Sequence, residues 1–214
     1  MPPKNSLPAR GPHPGRFITV EGMDGAGKST HIPVIAEHLR RRGHDVLVTR
    51  EPGGTPLAEK FRGILLSEAM DPATETLLMF AARSDHVARV IRPALEAGRW
   101  VVCDRFTDAT IAYQGAGKGV SRSFINALAE GAHPGLSPDC TLIFDCPWPT
   151  ARERLAITGR ALDRFEREDQ AFFERVRAGY LSLAATEPRR IRLIDASGAP
   201  TTVEKLVYEA IVTL

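Results

Sequence analysis

Residues 17–30 read FITVEGMDGAGKST, and this stretch decides the fold class. Its first half is rich in β-branched and aromatic residues, which is typical of a β-strand. Gly22 to Ser29 matches the pattern G-x-x-x-x-G-K-[ST], in which the backbone amides of a glycine-rich loop converge on phosphate oxygens. The apolar residues that follow recur at the spacing of one helical face. The stretch therefore predicts a strand, a phosphate-binding loop and a helix in immediate succession.

The chemistry of this loop follows from its residue types. The Lys28 ammonium group is expected to reach the outer phosphates of a nucleotide, and the Ser29 hydroxyl to lie at a Mg²⁺ ion. The alternative is a glycine-rich turn in which Lys and Ser follow by chance. We expect nucleotide phosphates to be bound by the loop residues Gly22, Met23, Asp24, Gly25, Ala26, Gly27, Lys28, Ser29 and Thr30.

Continuous apolar runs, separated by helix-like segments, recur along the chain after this first strand. Runs that do not alternate with polar residues are typical of strands covered on both faces, as in a parallel sheet. Near the C-terminus, Thr201 and Glu204 have the spacing of a capping box before an amphipathic helix. The pattern predicts an α/β fold with a parallel sheet of about five strands flanked by helices. The strand-like runs are RFITVE, HDVLVTR, RWVVCDRF, DCTLIFDC and RRIRLIDAS.

The bulk composition limits the classes of protein to consider. The chain has 214 residues, 43% of them hydrophobic, which suits one domain over residues 16–214 after a proline-rich, flexible arm at residues 1–15. A net charge of +2 gives no reason to expect nucleic acid or a membrane as a partner. Three cysteines cannot all pair internally, so we expect a reducing compartment and a soluble cytoplasmic protein.

Four further motifs narrow the class of phosphate-binding protein. They are TREPGGTPLAEKFRGILL, ETLLMFAARSDHVARVIRPAL, CDRFTDATIAYQG and LDRFERED, in that order. With the loop, they resemble the thymidylate kinases of the bacterial nucleoside-monophosphate kinase family, and the likeness runs from about residue 17 to the C-terminus. The resemblance implies a three-layer P-loop NTPase fold with a helical lid near residues 156–169. It also implies transfer of the ATP γ-phosphoryl group to dTMP with Mg²⁺, in dTTP biosynthesis, by a homodimer.

Strand ends supply the predicted phosphate chemistry. Arg50 ends the second strand-like run, where its guanidinium group suits bidentate contact with a monophosphate, and in the similar enzymes it holds the acceptor phosphate. Asp104 and Arg105 end the third run. A carboxylate at Asp104 can orient Mg²⁺ or its water, and Arg105 can bridge donor and acceptor phosphates. The alternatives are a solvated Arg50 and a structural pair between Asp104 and Arg105.

The acid in the loop needs a partner of its own. A carboxylate at Asp24 would repel phosphates, so it must face something other than the triphosphate. The resemblance implies that Asp24 faces the acceptor sugar near its 3′-hydroxyl, between the two substrates. The alternative is an aspartate that stabilises the turn through nearby backbone amides.

The predicted base site lies on one helix and the segment after the third strand. Phe80 and Arg83 are three residues apart, so the ring can stack on a pyrimidine while the guanidinium group bonds its carbonyl. Members of the family usually carry the stacking Phe where this chain has Met79, so either residue remains a candidate. By resemblance, the base and deoxyribose are also contacted by Thr110, Tyr113 and Gln114.

The positive charge at the transferring phosphate is expected from the lid. The family supplies it from an arginine in the loop or from arginines in the lid, and Gly25 and Ala26 exclude the first source. Arg160 and Arg164 are therefore the predicted donors. Two rival functions stay open at this point: a kinase for another pyrimidine nucleotide or a deoxynucleoside, and an ATP-dependent switch that passes no phosphate on.

Overall fold

The computed structural model describes residues 14–214, and the strand before the glycine-rich loop lies at the centre of its sheet. The strand order is β2-β3-β1-β4-β5, and the neighbouring strands all run parallel. The predicted parallel sheet of five strands is confirmed. The strands are β1 Phe17–Gly22, β2 Val46–Arg50, β3 Trp100–Asp104, β4 Cys140–Asp145 and β5 Ile191–Asp195.

Helices connect the strands within the described range. Two π-helical segments, Val87–Ile91 and Ile111–Gly117, continue α3 into α4 and extend α5. The helices are α1 Lys28–Arg41, α2 Pro56–Ser67, α3 Pro72–His86, α4 Arg92–Glu96, α5 Thr107–Thr110, α6 Arg122–Ala132, α7 Trp148–Ile157, α8 Gln170–Thr186 and α9 Pro200–Ile211.

Burial separates the central strands from the edge strands. Every residue of β1 is buried, whereas β2 and β5 alternate between buried and more exposed positions. Neighbouring residues of β1 belong to different apolar clusters: Ile18 and Val20 pack with α1, and Phe17 packs with the helical region after α3. Both faces of the sheet are therefore covered, as continuous apolar runs require.

The sheet register brings two predicted positions, Arg50 and Asp104, to the same edge as the end of β1. Val20 of β1 pairs with Asp104 of β3, and Asp104 in turn pairs with Arg50 of β2. Parallel strands end at the same side of a sheet, and ligands of open α/β folds bind at that side. The glycine-rich loop after β1 and the residues after β3 consequently meet at the carboxyl edge.

Three details of the sequence-based predictions need comment. The predicted arm at residues 1–15 lies outside the described residues, except for Pro14 and Gly15, whose amide donates to the Leu95 carbonyl at 3.1 Å. The predicted capping box is wrong, because α9 begins at Pro200 after Ala199 and Thr201 lies within its first turn. Residues 158–169 of the predicted lid form turns between α7 and α8 rather than a helix.

Between residues 14 and 214, none of the helices is both long enough and apolar enough to cross a membrane.

Candidate active site

A cavity of about 780 Å³ opens at the carboxyl edge of the sheet, and we call it the loop cavity. The residues from Asp24 to His31 form one wall, and Arg50 and Arg105 lie at the ends of the neighbouring strands. A smaller space, here called the side pocket, adjoins it and is lined among others by Met79, Arg83, Ala109, Thr110, Tyr113 and Gln114. Asp24 and Arg105 line both spaces, so the two meet at these side chains.

The loop backbone needs glycine at its tightest point. Gly25 has φ +81°, and a Cβ atom there would clash with the Ala151 carbonyl oxygen. Only glycine adopts this conformation without strain. The helix α1 starts directly after the loop, with Lys28 as its first residue. The loop amides and the N-terminus of α1 therefore line one wall of the loop cavity, which is the geometry of a phosphate site.

Lys28 is buried against the loop that it belongs to. Its Nζ atom donates to the carbonyl oxygens of Gly22 at 3.1 Å and Met23 at 3.0 Å. Burial and the charge of Arg105 lower the pKa of Lys28. The ammonium group is therefore held at the wall of the loop cavity by the carbonyl groups of the loop.

Asp24 points away from the loop amides and toward Arg105. Its Oδ1 accepts from Arg105 Nη2 at 2.6 Å, and its Oδ2 accepts from the Tyr113 hydroxyl at 3.1 Å. Burial raises the pKa of Asp24, but the charges of Arg105 and Lys28 outweigh it and lower the pKa to about 2. The negative charge of Asp24 is thus balanced by Arg105, which follows β3, and by Lys28 of α1.

Arg105 has an unusual backbone. Its φ of +69° lies in the left-handed region, which is costly for a residue with a side chain. Neighbouring hydrogen bonds fix this conformation: the Arg105 amide donates to Val20 at 3.0 Å, and the Phe106 amide donates to Glu21 at 2.7 Å. The Tyr180 hydroxyl donates to the other oxygen of Glu21 at 2.9 Å. The carboxyl group of Glu21 therefore supports the strained turn that orients Arg105.

Two oxygen ligands at the cavity suit a magnesium ion. Ser29 and Asp104 both line the loop cavity. The Oδ1 atom of Asp104 is buried and has no hydrogen-bond partner among residues 14–214. Hydroxyl and carboxylate oxygens are ligands that Mg²⁺ prefers, directly or through water. The unsatisfied carboxylate oxygen is the observation that fits a cation at this position.

Arg50 lies at the rim of the loop cavity. Its Nη2 donates to the Glu59 carboxylate of α2 at 3.0 Å, and just over half of its side chain is exposed. An exposed ion pair of this kind has little net strength. The guanidinium group is therefore available to an anionic ligand that enters between β2 and α2.

Arg83 faces the side pocket and is almost fully buried. Its Nε donates to Glu51 at 2.6 Å, and its Nη2 donates to the Phe106 carbonyl and the Thr110 hydroxyl, each at 3.1 Å. Its Nη1 has no partner among residues 14–214. A buried donor without an acceptor is costly, so this atom calls for an acceptor supplied by a ligand.

The two candidates for stacking on a base occupy different places. Met79 lines the side pocket, whereas Phe80 is 3% exposed and lies outside its wall. The Phe80 ring instead packs beneath Arg83, with the guanidinium carbon 4.7 Å from the ring centroid. Met79 therefore lines the side pocket, whereas Phe80 packs against Arg83.

The two predicted lid arginines also separate. Arg160 lines the loop cavity and pairs with the carboxylate of Glu166. Arg164 does not line that cavity; it pairs with buried Glu75 of α3 at 2.6 Å and donates to the Leu65 carbonyl at 2.9 Å. The structure brings Arg160, but not Arg164, to the loop.

Several residues that line these spaces were missed by the sequence-based predictions. Arg62 of α2 lines both spaces, and Arg154 of α7 lines the far end of the loop cavity. Arg62 lies within the first of the four motifs but does not end a strand, and Arg154 belongs to none of them, so no sequence signal separates either from other helical arginines. His86 lines neither space, but its Nδ1 bonds Glu51 at 3.0 Å and its Nε2 bonds the Thr49 hydroxyl at 2.7 Å.

Comparisons with known proteins agree with this geometry. The chain is 56% identical to the thymidylate kinase of Bordetella petrii over 194 residues, which cover 91% of this chain and 93% of that protein. It is 53% identical to the thymidylate kinase of Cupriavidus necator over 202 residues, covering 94% and 99%. The crystal structure of thymidylate kinase from Ehrlichia chaffeensis matches with a TM-score of 0.73 at 35% identity, covering 91% and 97%.

The family model described as thymidylate kinase matches residues 20–207. This match includes the glycine-rich loop, both spaces at the carboxyl edge and the turns between α7 and α8. The chain therefore belongs to the thymidylate kinase family.

Proposed function

We propose that this chain transfers the γ-phosphoryl group of ATP to dTMP and releases dTDP and ADP. The observation that carries the proposal is the junction of two ligand spaces at Asp24 and Arg105. One space has the loop geometry of a triphosphate site, and the other has unpaired polar groups suited to a base. Family membership supplies the identity of the acceptor, since the relatives bear the name thymidylate kinase.

Positioning and charge neutralisation carry the transfer in this proposal. The loop amides and Lys28 hold the ATP phosphates, Arg50 holds the acceptor phosphate, and Arg105 lies between them. Arg160 adds positive charge from the lid segment, residues 156–169. No general base is needed, because the acceptor phosphate is already anionic. Asp24 keeps Arg105 aimed at the junction and takes no proton.

Ser29 and Asp104 are the residues that would hold Mg²⁺. When bound, the ion neutralises charge on the donor phosphates. The protein contributes a hydroxyl group at the start of α1 and the unsatisfied Oδ1 of Asp104 at the end of β3. We therefore infer ATP as phosphoryl donor and Mg²⁺ as cofactor.

The side pocket suits a pyrimidine with a carbonyl at its edge. The free Nη1 of Arg83 is a donor that thymine O4 can satisfy, and Met79 offers a soft apolar surface to the ring. The Tyr113 ring, held by its bond to Asp24, crowds the sugar where a ribose would carry a 2′-hydroxyl. The nucleoside of ATP is assigned to the opposite end of the loop cavity, between Arg154 and Gly198.

We further propose a cytoplasmic homodimer whose residues 16–214 act as one kinase domain. Exposed apolar side chains lie on two helices that pack together: Leu57 and Ile64 on α2, and Leu77 on α3, exposed by 45%, 43% and 49%. Exposed apolar side chains on neighbouring helices are candidates for a protein interface. Light scattering on the intact protein tests the dimer, and replacing Leu77 with Asp should weaken it.

The direct test is ADP release from ATP and Mg²⁺ with dTMP, dUMP, dCMP, UMP, AMP, GMP or thymidine, one acceptor at a time. We expect strong dependence on dTMP. Lys28→Ala should abolish turnover while the fold is kept, and Lys205→Ala, at an exposed position of α9, should not. Slow hydrolysis that is indifferent to every acceptor would replace the kinase with an ATP-dependent switch.

A further inference from the structure

A buried carboxylate, Glu75, lies behind the side pocket. It is on α3, has no exposed surface, and does not line either ligand space. Its Oε1 accepts from Gln114 Nε2 at 2.7 Å. Its Oε2 accepts from Lys118 Nζ at 2.9 Å and pairs with Arg164 Nη2 at 2.6 Å. Two cations on Oε2 leave Oε1 to a single partner, the amide of Gln114.

Gln114 is fixed by hydrogen bonds at both its backbone and its side-chain amide. Its backbone carbonyl accepts from the Val120 amide at 2.9 Å, and the residue is 1% exposed. Because Nε2 is bonded to Glu75, the amide oxygen Oε1 is the polar atom left for the side pocket that Gln114 lines. This oxygen accepts no hydrogen bond from residues 14–214.

The orientation of this amide has a chemical cause. A carboxylate beside an ammonium and a guanidinium group can only accept hydrogen bonds, so it bonds the NH₂ of Gln114 and rejects its oxygen. The side pocket is consequently offered an acceptor from Gln114, and it is also lined by Arg83, which has an unpaired donor. Thymine and uracil present an N3–H donor beside the O4 acceptor, whereas cytosine presents an N3 acceptor beside an amino donor.

We propose that Glu75 is a positioning residue for base choice: it holds the Gln114 amide so that its oxygen faces the base, and thereby selects thymine or uracil over cytosine. The inference rests on the proposed function and goes beyond it, because Glu75 touches no substrate. A site built to hydrogen-bond one pattern strongly rejects the opposite pattern, since its buried groups would stay unpaired.

The test is kcat/KM for dTMP and for 5-methyl-dCMP, which matches thymine in its methyl group and differs at N3 and position 4. In Glu75→Gln, the amide oxygen of the new side chain should occupy the Oε2 position beside Lys118 and Arg164. Its NH₂ group then faces Gln114, which should flip its own amide so that its oxygen accepts from this NH₂ and its NH₂ faces the pocket. We expect the ratio of dTMP to 5-methyl-dCMP kcat/KM to fall at least about tenfold, mainly through KM. Damage to the fold alone would lower both values together.

Two further variants separate the hydrogen bond from the charges. Lys118→Met removes a cation from Oε2 and leaves the Oε1 bond, so the ratio should match the wild-type protein. Glu75→Asp keeps the charge but withdraws the carboxylate from Gln114, so the ratio should fall less than in Glu75→Gln. Circular dichroism and thermal unfolding report whether each variant is folded, and Glu75→Asp decides the test alone if Glu75→Gln does not fold.

The outcomes distinguish the two proposals. A wild-type protein without dTMP activity would overturn the proposed function. A wild-type protein that prefers dTMP, with an unchanged ratio in folded Glu75→Gln or Glu75→Asp, would overturn the role of Glu75. An equal fall of the ratio in Lys118→Met would also overturn it, because charge rather than the amide bond would then control base choice.

Discussion

The Arg105 guanidinium donates to the Asp24 carboxylate at 2.6 Å and thereby joins the phosphate-binding loop to the end of β3. Arg105 and Asp24 belong to different strand ends, and both line the loop cavity and the side pocket. The pair has a net charge of zero and keeps the loop acid from repelling phosphate. The guanidinium group of Arg105, at the junction of the two spaces, is therefore oriented by a residue of the loop itself.

Asp24→Asn should lower kcat at least about tenfold, because Arg105 loses a charge-assisted hydrogen bond and its aim toward the phosphates. Steady-state kinetics with saturating ATP and dTMP measures the loss. Asp45→Asn is the matched control, since Asp45 pairs with Arg99 in an exposed ion pair away from both spaces. Equal rates for Asp24→Asn and the wild-type protein would contradict the role of the pair.

Arg50→Ala should raise the KM for dTMP more than the KM for ATP, because Arg50 faces the acceptor phosphate in the proposed function. The expected rise in KM is about tenfold or more, as for a lost contact to a charged group. Arg41→Ala removes an exposed guanidinium group paired with Glu37 and should change neither value. Equal increases in the KM for dTMP and for ATP would contradict a specific contact between Arg50 and the acceptor phosphate.

Arg160→Gln should lower kcat more than Arg164→Gln. Only Arg160 lines the loop cavity, whereas Arg164 is held by Glu75 on the far side of the lid segment. Single-turnover kinetics with both substrates bound separates the chemical step from release of product. A larger loss in Arg164→Gln would mean that Arg164 leaves Glu75 and turns to the phosphates when ATP binds.

Glu21→Gln should change how stability depends on pH. Burial and the charge of Asp108 raise the pKa of Glu21 to about 8 from an ordinary value of 4.5. The folded chain thus keeps a proton that the unfolded chain loses, and this contribution, complete below pH 4.5, is lost as pH rises toward 8. The glutamine variant has no such dependence.

Urea unfolding of both proteins between pH 5 and pH 8 measures this difference. We expect the free energy of unfolding of Glu21→Gln, minus that of the wild-type protein, to increase as pH rises, by on the order of 1 kcal/mol per pH unit. Glu37→Gln, at an exposed position of α1, serves as control. A constant difference across the range would show that Glu21 does not titrate there.

The fold was predictable because its signals are local and repeated. Continuous apolar runs identified the strands, and the loop after β1 fixed which strand ends carry the site. The positions of Arg50 and Asp104 were predictable for the same reason, since both residues end strands that are paired in register. Neither prediction depended on how the helices pack.

The lining of the side pocket was less predictable because it depends on helix rotation. Met79 and Phe80 are adjacent, and neighbouring helical residues point about 100° apart, so the packing of α3 against its neighbouring helices decides which of them lines the pocket. Arg164 shows the same limit. Its sequence context suits a phosphate contact, but the carboxylate that holds it is 89 residues away in the chain, at Glu75.

The three cysteines, at the ends of β3 and β4 and just beyond, have a practical consequence. Cys103, Cys140 and Cys146 are at most 1% exposed, and burial raises the pKa of each thiol. Thiol-directed dyes need an accessible thiolate, so these three cysteines should not react with them in the folded protein. Ile157→Cys, at a position that is 78% exposed at the start of the lid segment, would therefore give a single attachment point for a fluorophore on that segment.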